Sequence, residues 1–532
     1  SEVPPRFAGT LVLFDLALAH GGSWRCCMEL EPDVDGRIVS FVGDPHGDER
    51  PAARSSTTQV VGAARLGDVF ERGRDDLASL ALPREGAEPI VGAGAPWFLA
   101  LFGRDPLVTA LMTGMVGTDI ARGALAALGD LQARGLDDDR DMQPGKLPHE
   151  LRRGELARFG LIPHTPYYGT HDAPALFSLA LWNAWRWTGD DALLDRHLEA
   201  ARRALRWCDD LGDRDGDGLL EYGTRSARGY YNQGWKDAGD AIVHEDGSLA
   251  APPIATVELQ GYLFAARLAM AEMLERRHQS GEGQKLREAA AELRDLVEDR
   301  FWLDDLGTYV LGLDGDKRPV RSVASNAGHL LWTGLPHPDR ARRVAARLLE
   351  PDMFSGWGLR TLSADHIAYN PLSYQLGSVW PHDTALAAAG MVRYGLRDEA
   401  WTLSGALLDA AAAFEDDRLP ELFCGFDRSS GPPVPYREAN VPQAWAAAAP
   451  ILVGQTLLGV VPDAPNGRCW LSPRLPGDIA ALRVTGIPMG SATLDLDVRR
   501  AGDRTDIARA DAPGLEVSSG TTAAVLWGSP PP

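Results

Sequence analysis

Apolar residues recur at helical spacing through the middle of the chain. Segments rich in Ala, Leu and Arg extend from about residue 85 to residue 460, and a period near 3.6 residues gives each segment one apolar stripe. The pattern predicts helices over residues 106–117, 120–133, 173–188, 191–210, 254–275, 284–301, 341–349, 384–394 and 398–414. The apolar stretch 441–461 contains Pro442, Gln443, Pro450 and Gln455, so we predict a buried helix there and not a membrane span.

The predicted helices follow one another in pairs. Between the helices at 173–188 and 191–210, Gly189 and Asp190 form a tight turn with an N-cap type residue and leave no room for a strand. Longer loops rich in Gly, Pro, Asp and aromatic residues separate other helices. Paired helices with elaborate loops at alternate junctions predict an α-toroid over residues 86–460.

Short β-type runs occur at both ends of the chain. Residues 10–14 and 38–42 are apolar and β-branched between Gly, Pro and Asp, and residues 492–498 alternate between apolar and polar. We predict an incomplete β-sandwich with a linker over residues 1–85 and a small β unit over residues 461–532.

Composition and charge narrow the range of partners. The chain has 532 residues, of which 45% are hydrophobic and 24% charged, and a formal net charge of -21. Phosphate backbones and anionic lipids would repel so acidic a chain, so neither nucleic acid nor a membrane is an expected partner. The five cysteines are widely spaced except for the adjacent Cys26 and Cys27, and they form no CxxC pair. With no visible signal peptide, they predict a cytoplasmic protein with reduced thiols. No cofactor or metal ion is predicted, and the oligomeric state stays open.

Two acidic side chains stand beside large apolar groups. Asp237 follows Trp235 in the Gly-containing segment 233–240, where an aromatic wall can desolvate the carboxyl and raise its pKa, as a general acid requires. Glu421 lies in the apolar segment 419–423. Hydrolysis of a glycosidic bond needs two such carboxyl groups.

Each of these two assignments has an alternative. Asp240 competes for the role of the acid. Glu438 competes for the role of the base, although a glutamate near a helix start more often serves the helix dipole. Glu421 could instead be a loop carboxylate that pairs with Arg418 or Arg428.

Further candidate binding residues lie at predicted helix starts and in aromatic loops. Arg104 and Asp105 precede a predicted helix, where Asp105 is either an N-cap or, with Arg104, a grip on vicinal sugar hydroxyls. The segments 167–172, 357–360 and 378–383 mix aromatic with polar residues, as sites that stack on a pyranose do. The candidates in these loops and around Asp237 are Tyr168, Asp172, Trp235, Lys236, Trp357, Arg360, Trp380 and His382.

The segment 213–218 is similar to the start of a calcium-binding loop. The position of the bidentate glutamate of such a loop holds Thr224, so an Asp/Gly-rich turn is favoured. The chain has no P-loop, no nucleophile elbow and no HExxH spacing of its histidines.

Taken in order, these segments resemble bacterial amylo-alpha-1,6-glucosidase or glycogen-debranching-type proteins. That group belongs to the inverting (α/α)6-barrel glycosidases, which include glucoamylases and trehalases. The resemblance covers about residues 90–460 and implies a mainly α fold, a six-hairpin (α/α)6 barrel with β segments at both ends. The matching segments are 95–98, 103–105, 167–170, 233–237, 370–374, 380–383 and 419–422.

The resemblance also implies roles for single residues. Asp237 in the Trp-x-Asp of segment 233–237 is implied as the general acid, and Glu421, ahead of the final barrel helix, as the base. The residues implied to contact the non-reducing sugar are Arg104, Asp105, Arg360 and Trp380.

We therefore predict an inverting glycoside hydrolase that releases glucose from an α-glucoside such as the α-1,6 branch of glycogen. The attacking water must fit between the acid and the base, so Asp237 and Glu421 should lie roughly 6.5 to 9.5 Å apart. The alternatives are a hydrolase of a small glucosylglycerate- or trehalose-like compound, a phosphorylase, and a non-catalytic glycan-binding toroid.

Overall fold

The computed structural model describes residues 3–9, 11–18, 24, 33–34, 37–38, 58–84, 86–162, 165–502 and 504–520. The described chain is mostly helical with β segments, as predicted. The helices are α1 (Ala64–Ser79), α2 (Arg104–Met112), α3 (Asp119–Asp130), α4 (Glu155–Arg158), α5 (Ala173–Thr188), α6 (Asp191–Trp207), α7 (Val257–Arg276), α8 (Ser280–Arg300), α9 (Asn326–Thr333), α10 (Pro338–Leu348), α11 (Pro381–Arg393), α12 (Arg397–Ala413) and α13 (Ala444–Leu458).

The strands are short, apart from three near the C-terminus. They are β1 (Arg6–Ala8), β2 (Leu11–Leu13), β3 (Asp33–Val34), β4 (Arg37–Ile38), β5 (Gln59–Val61), β6 (Ala81–Arg84), β7 (Ala87–Val91), β8 (Leu101–Phe102), β9 (Glu150–Leu151), β10 (Ala255–Thr256), β11 (Trp302–Leu303), β12 (Thr308–Tyr309), β13 (Gly312–Leu313), β14 (Pro319–Val320), β15 (Val461–Asp463), β16 (Arg468–Leu471), β17 (Ala481–Met489), β18 (Ala492–Ala501), β19 (Arg504–Asp511) and β20 (Glu516–Ser519).

The chain divides into two compact units, Ser1–Arg50 and Pro51–Pro532. In the first unit, β1 pairs with β2 and β3 pairs with β4, both antiparallel. The predicted run 10–14 contains β2, and residues 39–42 of the run 38–42 lie outside the described residues. Cys26 and Cys27 also lie outside them, whereas Cys208, Cys424 and Cys469 are buried reduced thiols.

Six helices of the second unit pack in a closed order. Helix α2 packs on α5, α5 on α7, α7 on α9, α9 on α11, α11 on α13, and α13 back on α2. Each of the six carries a second helix: α3 on α2, α6 on α5, α8 on α7, α10 on α9, α12 on α11 and α1 on α13. Burial follows this order, because α5, α11 and α13 are buried on nearly all sides, whereas α6 and α10 bury only one stripe.

Helices occupy all ten segments for which the apolar pattern predicts them, including 441–461, where α13 forms. Helices α1, α4 and α9 were not predicted. Gly73 weakens the local helical pattern of α1, because glycine is unfavourable inside a helix. A Cβ at Gly73 would lie 2.3 Å from the carbonyl oxygen of Ala447 in α13, so the same glycine permits the close contact between α1 and α13.

The C-terminal part of the second unit forms an antiparallel sheet in the order β19-β18-β17-β5. The alternation predicted for residues 492–498 is present in β18, where Leu494, Leu496 and Val498 are buried. The edge strand β5 comes from Gln59–Val61, so a segment far upstream completes this sheet. Among the described helices, none combines the length and the apolar character that crossing a membrane requires.

Candidate active site

A cavity of about 320 Å³ opens among the loops that precede or connect the six packed helices. Its size is at the lower end of the roughly 300–1,000 Å³ typical of small-molecule sites. The aromatic side chains of its wall are Phe98, Phe102, Tyr230, Trp235, Tyr374, Trp380 and Trp445. The ionisable ones are Arg104, Asp105, His149, Glu150, Arg152, Asp237 and Glu421. Both carboxyl groups predicted for catalysis therefore line one cavity.

Asp237 lies in the loop that follows Trp235 and keeps 29% of its side chain exposed. The Arg104 guanidinium donates from Nη2 to its Oδ2 at 2.5 Å, and Nε2 of His149 lies 4.0 Å from the same oxygen. Burial raises the pKa of Asp237, and Arg104 opposes that rise. A carboxyl group with a raised pKa holds its proton nearer to neutral pH, which suits a general acid.

Glu421 is buried, with 1% exposure. Tyr374 donates its hydroxyl to Oε1 at 2.7 Å, and Asn440 donates its backbone N–H and its side-chain amide to Oε2 at 2.8 and 2.7 Å. Burial raises the pKa of Glu421, and these three hydrogen bonds act against that rise because they favour the ionised form. The carboxylate is thus fixed in position by neutral donors.

The alternatives to these two residues lie elsewhere. Arg418 binds Asp76 at 2.9 Å and Arg428 binds Asp409 at 2.8 Å, so neither arginine is the partner of Glu421. Asp240 and Glu438 are exposed and do not line the cavity.

Arg104 connects the cavity to the protein behind it. Its Nη1 donates to the carboxylate of Asp172 at 2.9 Å and to the carbonyl oxygen of Gly234 at 2.8 Å. Asp172 is fully buried and does not line the cavity. Two carboxylates therefore share one buried guanidinium through different nitrogens, which aligns Arg104 with the loop that carries Asp237.

Asp105 lies in the first turn of α2, whose N-cap residue is Gly103, so the N-cap interpretation of Asp105 is wrong. Gln443 donates to its Oδ2 at 3.3 Å. Burial raises the pKa of Asp105 to about 7, Arg104 opposes the rise, and the charges of Asp237 and Glu421 add to it.

This raised pKa predicts a pH-dependent stability. Because the pKa of Asp105 in the folded state exceeds its ordinary value of 3.8, the contribution of Asp105 is most favourable below about pH 4 and is lost as the pH rises towards about 7. For Asp105→Asn we expect the fall in unfolding free energy between about pH 5 and about pH 8 to be smaller by about 2 kcal/mol. Urea unfolding at both pH values measures this, with Asp240→Asn as the exposed control. Equal falls in wild type and Asp105→Asn would contradict the assignment.

Of the predicted substrate-binding residues, Arg104, Asp105, Trp235 and Trp380 line the cavity. Three others have polar ends that donate to backbone carbonyls behind its wall. They are Lys236 to Thr361 at 2.5 Å, Arg360 to Gly425 at 2.8 Å and Tyr168 to Leu131 at 2.7 Å. These carbonyls satisfy the donors that desolvation would otherwise leave unpaired.

Two predicted aromatic contacts are also placed behind the wall. His382 stacks on Trp445 with ring centroids 3.9 Å apart, and Trp445 itself lines the cavity. The Arg428 guanidinium lies over Trp357, with its Cζ 4.2 Å from the centroid of the Trp357 ring. Trp357 is not part of the cavity wall. Both residues support loops without reaching the cavity.

Several cavity residues were missed by sequence reasoning. Gln375 accepts from the backbone N–H of Ala238 and donates to the carbonyl oxygen of Trp235, so it holds the chain on both sides of Asp237. Tyr374 belongs to the matching segment 370–374, which was a usable signal. No sequence signal pointed to Asn440, because its contact with Glu421 depends on how the loop between the two residues folds back.

The segment 213–218 forms a tight turn. The backbone N–H groups of Gly216, Asp217 and Gly218 donate to the carboxylate of Asp213. The Lys317 ammonium lies 2.9 Å from Asp215 and 3.0 Å from Asp217, so a side-chain cation neutralises this acidic group. The arrangement agrees with the Asp/Gly-rich turn.

Residues 140–427, more than half of the chain, match the family described as "Mannosylglycerate hydrolase MGH1-like glycoside hydrolase domain". The chain belongs to this glycoside hydrolase family. The mannosylglycerate hydrolase of Rubrobacter radiotolerans is 30% identical over 158 residues, which are 28% of this chain and 36% of that protein. The match thus spans about a third of that relative's length.

Solved structures are similar to this MGH1-like chain in fold. The GH63 mannosylglycerate hydrolase from Thermus thermophilus superposes with a TM-score of 0.54 and 15% identity, covering 72% of this chain and 99% of that one. The GH78 family rhamnosidase of Bacillus sp. GL1 gives a TM-score of 0.63 and 14% identity, covering 87% of this chain and 43% of that one. The prediction of a glycoside hydrolase is confirmed at the level of the family, and none of these three relatives is a glycogen-debranching protein.

Proposed function

We propose that this MGH1-like protein hydrolyses a small, negatively charged glycoside of the mannosylglycerate or glucosylglycerate type with inversion at the sugar carbon. The observation that carries the proposal is the pair of carboxyl groups, Asp237 and Glu421, in the wall of one cavity. The names of the relatives supply the substrate class. The modest volume of the cavity suits a small glycoside better than the branch of a polymer.

In the proposed mechanism the two carboxyl groups have opposite protonation states. Protonated Asp237 gives its proton to the departing glycosidic oxygen, while ionised Glu421 takes a proton from a water that attacks the opposite face of the sugar. The hydrogen bonds from Tyr374 and Asn440 favour the ionised form of Glu421. Exposed acids such as Glu438 lack this environment.

We also infer that the helices form an (α/α)6 barrel, the finer fold predicted from the sequence. The closed packing order of α2, α5, α7, α9, α11 and α13, each with one further helix, supports this inference. The cavity then lies where loops from successive hairpins meet. A crystal structure in which these six helices do not close into a ring would contradict it.

Arg152 is the residue we assign to the charged end of the substrate. It lines the cavity, with Nε donating to Glu150 at 2.7 Å and Nη1 donating to the carbonyl oxygen of Trp97 at 3.0 Å. Its guanidinium lies 5.4 and 5.1 Å from the ring centroids of Phe98 and Phe102. These contacts fix its plane beside the cavity, where it can meet a carboxylate.

For Arg152→Gln we expect KM for mannosylglycerate to rise about 10- to 100-fold, as the loss of a charge-assisted hydrogen bond implies. The kinetics of a neutral methyl mannoside should change little. The neighbouring Arg153 is exposed and does not line this cavity, so Arg153→Gln is the matched control. If the substitution impaired the kinetics of both substrates equally, Arg152 would have a structural role and would not bind the glycerate group of the substrate.

The substrate and the stereochemistry are tested together. Purified protein is incubated with mannosylglycerate, glucosylglycerate, trehalose, isomaltose, panose and limit dextrin, and NMR follows the first-formed anomer of the released sugar. Release from the glycerates with inverted configuration supports the proposal, and net retention would contradict it. Release from limit dextrin alone would favour debranching. Turnover that strictly depends on phosphate would favour a phosphorylase. Thermal stabilisation by a sugar without its release would favour a non-catalytic glycan-binding toroid.

A further inference from the structure

A second polar cavity lies apart from the proposed active site. It has a volume of about 290 Å³, and no residue of its wall lines the active-site cavity. Its wall includes the cationic side chains of Lys146, Arg214 and Arg225 and the ring of His171. Neither the family assignment nor the proposed mechanism uses this cavity.

Lys146 is a buried cation with few partners. Its side chain is 2% exposed, and Nζ donates to the backbone carbonyl of Asp141 at 3.2 Å while it lies 5.1 Å from the ring centroid of Trp207. The ammonium group carries three N–H donors, and within the described ranges this is its one hydrogen bond. A buried charged donor that is left unmatched is costly, so Lys146 favours an acceptor in the cavity.

His171 is a second buried polar residue in the wall of the same cavity. It is 4% exposed, and the side chain of Gln233 is a hydrogen-bond partner of its ring. Its position is fixed because its backbone N–H donates to the carbonyl oxygen of Gln233 at 2.8 Å. Two buried polar residues from different segments therefore line one space.

Of the three carboxylates in the wall, Asp141 and Asp213 have their own donors and Asp210 is exposed. Asp141 accepts from Tyr167 at 2.6 Å, from Thr224 at 2.8 Å and from Gln233 at 3.0 Å. Asp213 accepts from the backbone of its own turn, including Gly216 at 2.8 Å. These neutral donors position the two carboxylates and leave their charges in place. Among the cations, Arg225 pairs through Nε with Asp138 at 2.6 Å, whereas the Lys146 ammonium and the Arg214 guanidinium retain donor capacity.

We propose that this cavity is a binding site for a small tetrahedral oxyanion, either free or as the phosphate of a small ester, held by Lys146 and Arg214 with Arg225 beside them. Charged donors bind phosphate and sulfate oxygens more strongly than neutral donors do. Arg214 donates Nη1 to the carbonyl oxygen of Gly223 at 2.8 Å, which steadies its guanidinium at the cavity.

Sulfate titration by calorimetry at about pH 6, with ionic strength held by chloride, tests the site. We expect Lys146→Met to weaken sulfate binding at least about tenfold and Arg214→Gln about threefold or more. Lys285 is exposed on α8, so Lys285→Met is the matched control and should bind as wild type does. Arg152→Gln should also leave the affinity unchanged, which separates this site from the active site.

The result that would overturn the proposal is equal sulfate affinity in all variants, or no binding to the wild-type protein. If Lys146→Met does not fold, the comparison of Arg214→Gln with Lys285→Met decides the question. Inorganic phosphate and glycerol 3-phosphate are titrated in parallel: tighter binding of the ester indicates a phosphate monoester as the ligand, and equal binding indicates the free anion. Failure of both phosphates to bind would reject the site.

The pH dependence is a second measurement on the same site. Burial lowers the pKa of Lys146 to about 7, so sulfate affinity should fall as the pH rises through about 7, and Lys146→Met should not show this fall. Sulfate keeps its charge over this range.

The pKa of His171 is lowered well below its ordinary value and that of Cys208 is raised, in each case mainly by burial, so neither group titrates near pH 7. The other charged groups that face Lys146 are Asp141, Asp210, Asp213, Arg214 and Arg225. The same pH profile in Lys146→Met and wild type would contradict the assignment.

Discussion

Replacing Glu421 by Gln is expected to lower kcat by about 10²- to 10⁴-fold while substrate binding is largely kept. The amide has nearly the same shape as the carboxylate but cannot take a proton from the attacking water. The buried carboxylate accepts three hydrogen bonds from Tyr374 and Asn440, so it is positioned in advance and its loss cannot be made up by a mobile side chain. Steady-state kinetics give kcat, and calorimetry with the intact glycoside gives the affinity.

Glu438→Gln is the matched control for this substitution. Glu438 is exposed and lies in the same loop region, outside the cavity wall, so its variant should retain wild-type turnover. Near-normal turnover of Glu421→Gln would remove Glu421 from the mechanism. A large loss in Glu438→Gln with normal Glu421→Gln would transfer the role of the base to Glu438.

Several features of the fold were accessible from local sequence. The period of the apolar residues located the helices because packing on a neighbour requires one continuous stripe. Helix α1 was not predicted, because Gly73 weakens the local helical pattern. That glycine is explained only by the close contact with α13 in the folded protein. A sequence window records the cost of such a glycine and not the contact that it permits.

In the candidate site, too, local sequence indicates some properties, whereas others depend on contacts that form only in the fold. Asp237 and Glu421 could be selected because each carboxyl group sits in an apolar segment, which is a local property. Lys236 and Arg360 were chosen on the same grounds, yet their charges are satisfied by carbonyls of distant loops. Whether a polar group beside aromatics faces the cavity or its support depends on where those carbonyls lie, and only the fold determines that.

Asp237→Asn is expected to have an effect that depends on the leaving group. For mannosylglycerate, whose departing oxygen needs a proton, kcat should fall about 10²- to 10⁴-fold. For an aryl mannoside with an acidic phenol, which leaves without that proton, the loss should be far smaller. The ratio of the two losses measures general-acid catalysis separately from any damage to the fold. Asp240→Asn, an exposed position in the same loop, should match wild type on both substrates.

The pH profile gives this prediction a second readout. The acid must be protonated, so activity is lost as the pH rises through the pKa of Asp237, which burial raises above its ordinary value. The base must be ionised, so activity is also lost as the pH falls through the pKa of Glu421, likewise raised by burial. Asp237→Asn should therefore lose the limb at high pH and keep the limb at low pH. If instead the limb at low pH disappears, the two residues have exchanged roles, and an equal loss on both leaving groups would exclude Asp237 as the acid.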